Sequence, residues 1–133
     1  MSVAKINASI GRDHYKVVLQ AGKNTIIGDE PIDKGGGDEG MNPFEILASA
    51  LGACTCATLR MYADRKEMQL ESMEVLVSLV RDDAANVTKI TRQITLIGDL
   101  IPEERDRLLQ IANKCPIHKT LTNPINIETE LLA

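Results

Sequence analysis

Aromatic residues are nearly missing from this chain: no tryptophan, one phenylalanine (Phe44) and two tyrosines (Tyr15 and Tyr62) in 133 residues. That removes the stacking platform on which single-stranded nucleic acid is held, and it leaves the core to Leu, Ile, Val, Met and Ala. An excess of positive charge is missing too. Fifteen Lys and Arg stand against 19 Asp and Glu, a net charge of -4, and the basic residues are scattered. No nucleic-acid partner is expected from such a surface. The longest stretch free of charge, Ile46 to Leu59, has 14 residues, short of the roughly 18 that read as a membrane span. Met1 to Asn7 shows no apolar segment behind a basic start, so no secretory signal is read and a cytoplasmic address is expected, with no membrane partner. Only three cysteines occur, too few for a disulfide framework in such a compartment. Each is expected to be buried, metal-bound or redox-active.

What is present is ordinary for a globular protein: 44% apolar and 26% charged residues, at a length that predicts one domain over residues 1–133. Ala4, Ile6, Ala8 and Ile10 alternate with polar residues and predict a half-buried strand, punctuated by Gly11-Arg12-Asp13. Tyr15, Val17 and Leu19 repeat the pattern, Ala21 to Asn24 turns the chain, and Thr25 to Ile27 gives a third short strand. Gly28 to Met41, with four glycines between Gly35 and Gly40, reads either as a mobile surface connection or as a functional lid. Asn42-Pro43-Phe44-Glu45 opens a helix, with an Asn cap, Pro at the first position and Glu placed for a capping box. That helix is expected to run to about Lys66 and, apolar or small on every side in its middle, to be buried all round. Met73 to Leu79 and Ile90 to Leu96 predict a hairpin turning at Asp82 to Asn86. A second helix starts at Pro102, and Ile125, Ile127, Thr129 and Leu131 predict a closing strand. The order reads as α+β with antiparallel sheet.

The cysteines then carry the chemistry. On a helix Cys54 and Cys56 lie two positions apart, about 200° around the axis, and cannot bridge each other. Cys54 shares the stripe of Leu47, Leu51 and Thr58, and Cys56 faces away as a small buried hydrophobe. Two readings stand for Cys115: the apolar face of the helix that carries Leu108 and Ile111, or the cap of a new short helix starting at Pro116. In the second, backbone N–H groups, His118 and Lys119 would favour a thiolate. Cys54, Cys56, Cys115 and His118 count as four zinc ligands, but the divergence of the first two on a helix opposes tetrahedral closure, so no metal is expected. Nucleophile elbows, phosphate loops and dinucleotide fingerprints are absent, and no cofactor is expected.

Asn42-Pro43 with Glu45 and Leu47, leading into Leu51-Gly52-Ala53-Cys54 and followed 61 positions later (115 minus 54) by Cys115-Pro116, resembles the osmotically inducible protein C and organic hydroperoxide resistance (OsmC/Ohr) family over nearly the whole chain. The resemblance implies an α+β OsmC-like fold in an intertwined homodimer, each subunit burying its long central helix against the partner's sheet. It also implies a thiol peroxidase reducing organic hydroperoxides, with hydrogen peroxide as a second candidate substrate. Cys54 matches the peroxidatic cysteine, whose thiolate becomes sulfenic acid. Cys115 matches the resolving cysteine, which forms a disulfide that an external dithiol, lipoyl or other, reduces. Gly11-Arg12-Asp13 matches the turn whose arginine supplies the cation in the hydroperoxide branch, which makes Arg12 a candidate beside its plain reading as a solvated turn residue. That branch has Glu directly after the proline, where this chain has Phe44. Glu45, one place later, is the candidate carboxylate or simply the helix cap. The departure at Phe44 keeps a second function in view, a non-catalytic dimer holding a small apolar ligand in the cysteine-lined pocket.

Overall fold

The structure is a computed structural model describing residues 1–133, which form two compact units, Met1–Ser49 and Ala50–Ala133. In the first unit β1 (Asn7–Ser9), β2 (Val17–Ala21) and β3 (Asn24–Gly28) make a three-stranded antiparallel sheet in the order β1-β2-β3. Val17 and Leu19 are half-buried on one face of β2, as period-2 alternation requires, while Val18 and Gln20 point outward. The first strand is shorter than the Ala4 to Ile10 alternation predicts, because only Asn7 to Ser9 find partners on β2.

The segment after β3 is neither structureless nor loosely held. Ile32–Lys34 forms a single 3-10 turn, and the Asp29 carboxylate, in a residue only 3% exposed, accepts the backbone N–H groups of Tyr15, Glu30 and Glu39. The Asp29 N–H donates to the Met41 carbonyl at 3.0 Å, tying the two ends of the loop together. The backbone folds back so tightly that a Cβ at Gly36 or Gly40 would collide with the carbonyl of Glu30 or Ile27. The glycines therefore serve close approach rather than mobility.

Helix α1 (Pro43–Arg65) starts in the capping box: Asn42 N–H donates to Glu45 Oε1 and Glu45 N–H to Asn42 Oδ1, both at 2.9 Å. It ends where Glu67 turns left-handed at φ 55°, with Glu67 N–H donating to the Asp64 carbonyl and Met68 N–H to the Ala63 carbonyl. This is the paired bond pattern of a Schellman stop. In the second unit β4 (Gln69–Asp82) and β5 (Val87–Asp99) form a long antiparallel hairpin, followed by α2 (Pro102–Ala112) and α3 (Pro116–Thr122). Leu59, Tyr62, Ala63, Leu70, Leu100, Leu108, Ile111 and Ala112 make one buried cluster between α1, the hairpin and α2.

Two expectations are corrected here. The helix is not buried all round within one chain: Leu51, Thr55, Leu59, Tyr62 and Ala63 form its covered stripe, while Phe44, Leu47 and Met61 are exposed. One hairpin can cover only one face of a cylinder. The closing strand does not form either, and Ile125, Ile127 and Leu131 are exposed. Alternation marks two faces of a segment, but a strand also needs a neighbour with an open edge, and within this chain the tail is paired with none.

By length and composition α1 would also suit a bilayer. Its Thr55 side, however, packs within the chain and accepts a hydrogen bond from the Arg92 guanidinium.

Candidate active site

The α1 helix fixes the first thiol. Cys54 is half-buried, one position before the fully buried Thr55, whose hydroxyl donates to the Leu51 carbonyl at 2.7 Å. The Cys54 Sγ lies 3.9 Å from Thr58 Oγ1, one turn further along the same stripe. The second thiol sits at a corner. After α2 the backbone tightens, with Cys115 N–H donating to the Ala112 carbonyl, and Pro116 opens α3 with Cys115 as its cap residue. Proline fits there because the first helical N–H has no intrahelical partner. Of the two sequence readings of Cys115 the helix-cap position is the one adopted, and the residue is also completely buried.

These elements set the Cys54 and Cys115 thiols near enough for each to alter the other's ionisation, and both cysteines are free. Their surroundings treat them differently. Burial pushes the Cys54 thiol up, but the hydrogen bonds from the Cys115 thiol, the Ile117 N–H and the Thr58 hydroxyl, with the Arg92 charge, more than reverse this and hold it below the ordinary 9.0. Cys115 is held above that value by burial and by donating to Cys54, only partly offset by the N–H groups of His118 and Ile117. The start of α3 thus serves both sulfurs, and its first amide favours charge on Cys54 as well as on its own cap residue. The outcome is a Cys54 thiol disposed to ionise beside a Cys115 thiol disposed to stay protonated, so the thiolate expected of Cys115 at the cap is not favoured: burial outweighs the amides of the α3 start. Cys56 remains a free, half-buried thiol on α1.

The cation beside this pair is one that sequence reading did not single out. Arg92, half-buried on β5, donates from Nη1 to Thr55 Oγ1 at 3.1 Å and from Nη2 to Asn113 Oδ1 at 3.0 Å. It also bonds His118 Nδ1 at 3.1 Å. A guanidinium has only donors, so this ring nitrogen is the acceptor. The available signal was weak: Ile90, Arg92 and Ile94 share one face of β5, so a charge stands on the covered side of the hairpin. A charge placed there needs partners in the fold.

Arg12 and Glu45 belong to the first unit. Arg12 is exposed in the bend after β1, and the Glu45 carboxylate is engaged by the Asn42 N–H in the cap. Beside Arg92 and His118 the second unit opens a cleft of about 460 Å³, walled by Leu51, Ile90, Ile94 and Leu109. Its aliphatic walls face an equally polar side made by Thr88, Arg92, Asn113, His118 and Thr122, so it is a mixed cleft with polar groups able to orient a small molecule. Neither cysteine lines it.

Comparison with known proteins places this geometry in context. A family model described as OsmC-like protein matches residues 35–130. The organic hydroperoxide resistance protein OhrB of Bacillus subtilis is 29% identical over 106 residues, covering 76% of each chain. Its crystal structure superposes with a TM-score of 0.62 at 25% identity, over 91% of each chain. An OsmC-like protein from Mycoplasma pneumoniae, 20% identical, shares the fold with a TM-score of 0.79 over 90% of this chain and 87% of its own. The fold is α+β, as the element order predicts, and OsmC-like, as the family resemblance implies.

Proposed function

Because this chain belongs to the OsmC-like protein family, we propose that it is a thiol-dependent peroxidase for organic hydroperoxides, working through Cys54 and Cys115. One observation carries the reading: two free thiols whose neighbouring residues are joined through Arg92, one disposed to ionise and the other to stay protonated. In the proposed cycle the Cys54 thiolate attacks the terminal oxygen of ROOH. The S–O bond forms, the O–O bond breaks, and the alkoxide takes a proton from solvent and leaves as ROH. Cys115 sulfur then attacks Cys54 sulfur; the S–S bond forms, the S–O bond breaks, and the hydroxyl leaves with the Cys115 proton as water. An external dithiol, lipoyl or other, reduces the disulfide by two successive exchanges and becomes a disulfide itself. The hydroperoxide resistance named for the B. subtilis relative supports this substrate class.

We further propose a homodimer. Its support is the apolar surface one chain leaves open, including Phe44, Leu47 and Met61 on α1 and the apolar tail. Arg12 stays a proposed second cation, to be tested by Arg12→Ala, which should slow the first oxidation without preventing the disulfide. Glu45 is proposed as its carboxylate partner in addition to its cap; Glu45→Gln, which keeps a cap acceptor, separates the two. A cytoplasmic setting, which keeps the thiols reduced between turnovers, completes the proposal.

Removal of the attacking thiol is the test: Cys54→Ser should nearly abolish hydroperoxide consumption, and Cys56→Ser should change it little. The pH dependence has a definite sign. A thiol held below its ordinary value is ionised at lower pH, so alkylation of Cys54 should reach half its maximal rate at a lower pH than that of Cys115. The second reading, an apolar ligand held without turnover in a cysteine-lined pocket, is favoured by Phe44 and not by the cleft, which no cysteine lines and whose lining is half polar. It predicts no loss of thiols on adding hydroperoxide.

A further inference from the structure

The two cysteines lie on separate elements, and the cluster that packs α1 against α2 ends at Ala112, short of the corner that carries Cys115. The hydrogen bonds of a single side chain carry the connection on to that corner. Arg92 Nη1 holds Thr55, the residue after Cys54, while Nη2 holds Asn113, two residues before Cys115, and His118, three residues after it. The bonds to Asn113 and His118 straddle the corner, so it can neither slide along α1 nor swing away without breaking at least one of them. None of the three partners is a carboxylate: they are a hydroxyl, an amide and an imidazole. The guanidinium is therefore not consumed in an ion pair, and its planar fork is what allows it to reach three elements at once.

We infer that Arg92 is a positioning residue for the thiol pair, a strut that ties the helix carrying Cys54 to both sides of the turn carrying Cys115 and so sets how readily the two sulfurs join. The strut acts on disulfide formation, whatever the oxidant. Only its kinetic consequence, a slower passage from Cys54 sulfenic acid to disulfide, rests on the peroxidase reading.

A charge effect and a strut effect have opposite signs in a redox equilibrium. A cation that merely stabilised the Cys54 thiolate would favour the reduced protein, so removing it would make the disulfide more stable. Removing a strut lowers the effective concentration of one thiol at the other and makes the disulfide less stable. Two variants keep the charge and cut the strut. Arg92→Lys retains a cation but cannot span the three partners. Asn113→Ala combined with His118→Ala changes one exposed and one half-buried side chain and leaves Arg92 and Thr55 intact.

Full-length protein should be equilibrated with glutathione redox buffers at pH 7, where protein dithiol plus oxidised glutathione gives protein disulfide plus two reduced glutathiones, and the Cys54–Cys115 bridge quantified by mass spectrometry. Both variants should lower the equilibrium constant about tenfold, equivalent to about 30 mV. With one equivalent of cumene hydroperoxide they should also accumulate sulfenic and sulfinic acid at Cys54, while wild type goes to disulfide. An unchanged or raised constant in the folded double variant would overturn the inference, even with peroxidase activity intact. A lowered constant in a protein that does not consume hydroperoxide would leave the strut standing and remove the peroxidase reading.

Discussion

In Met1–Ser49 only Gly28 and Asp29 are buried, whereas in Ala50–Ala133 eight side chains from α1, the hairpin and α2 form one contiguous cluster. The first unit is organised by backbone pairing and by one carboxylate; the second by exclusion of water. The difference shows where each kind of sequence signal has force. A packed cluster needs several elements to present apolar faces together, and the second unit supplies them. The first unit presents a sheet and a helix start whose apolar residues, among them Ile26, Phe44 and Leu47, stay exposed in one chain. Those exposed apolar residues are the surface on which the proposed dimer rests.

The largest effect should come from the packed side. Leu108 is fully buried at the centre of the cluster, and Leu108→Ala should cost about 2–5 kcal/mol in urea unfolding through lost transfer energy and the cavity left behind. A loss below 1 kcal/mol would mean the cluster is not the stabilising core. Next, the open face of α1 should matter for assembly rather than for the chain's own packing. Wild type should scatter light as about twice 14.5 kDa, and Leu47→Asp should shift it toward the single-chain mass, because an unpaired carboxylate cannot be covered cheaply. A wild-type monomer at low micromolar concentration would remove the dimer proposal.

The smallest effect belongs to the loop. The N–H of Glu39 is the largest of the influences holding the Asp29 carboxyl below its ordinary range, with Glu30, Tyr15 and Gly37 adding to it against the effect of burial. A depressed carboxyl contributes order above its unfolded value and loses it as pH falls through the folded one. Asp29→Asn should therefore speed proteolysis between Glu30 and Met41 at neutral pH, and in wild type the loop should loosen only in acid. Equal cleavage in wild type and variant would show that backbone pairing alone holds the loop.

Local signals in the sequence carried the elements whose partners are near in the chain. The Asn42–Glu45 cap, the hairpin turning near Asp82 to Asn86 and the start of α2 at Pro102 each follow from rules that act over a few residues. Cys115 was legible only as two alternatives, because Pro116 can either end one helix or open the next, and the local sequence does not decide between them. What was not legible depended on distant neighbours. The 125–131 alternation resembles a strand, yet its pairing partner is not a property of the segment. Arg92 has no motif around it, and its importance comes from Thr55, Asn113 and His118, which lie 37, 21 and 26 residues away. Arg12, by contrast, stands in a recognisable turn and is exposed. Glu45 was readable as a cap from its spacing, and its carboxylate makes that bond.

The central claim is that Cys54 and Cys115, and not Cys56, form the reacting pair. Reduced protein treated briefly with one equivalent of cumene hydroperoxide, alkylated, digested and mapped by mass spectrometry tests it directly. The account predicts a Cys54–Cys115 disulfide with Cys56 still alkylated as a free thiol. A Cys56–Cys115 bridge, or three free thiols with the hydroperoxide unconsumed, would contradict it.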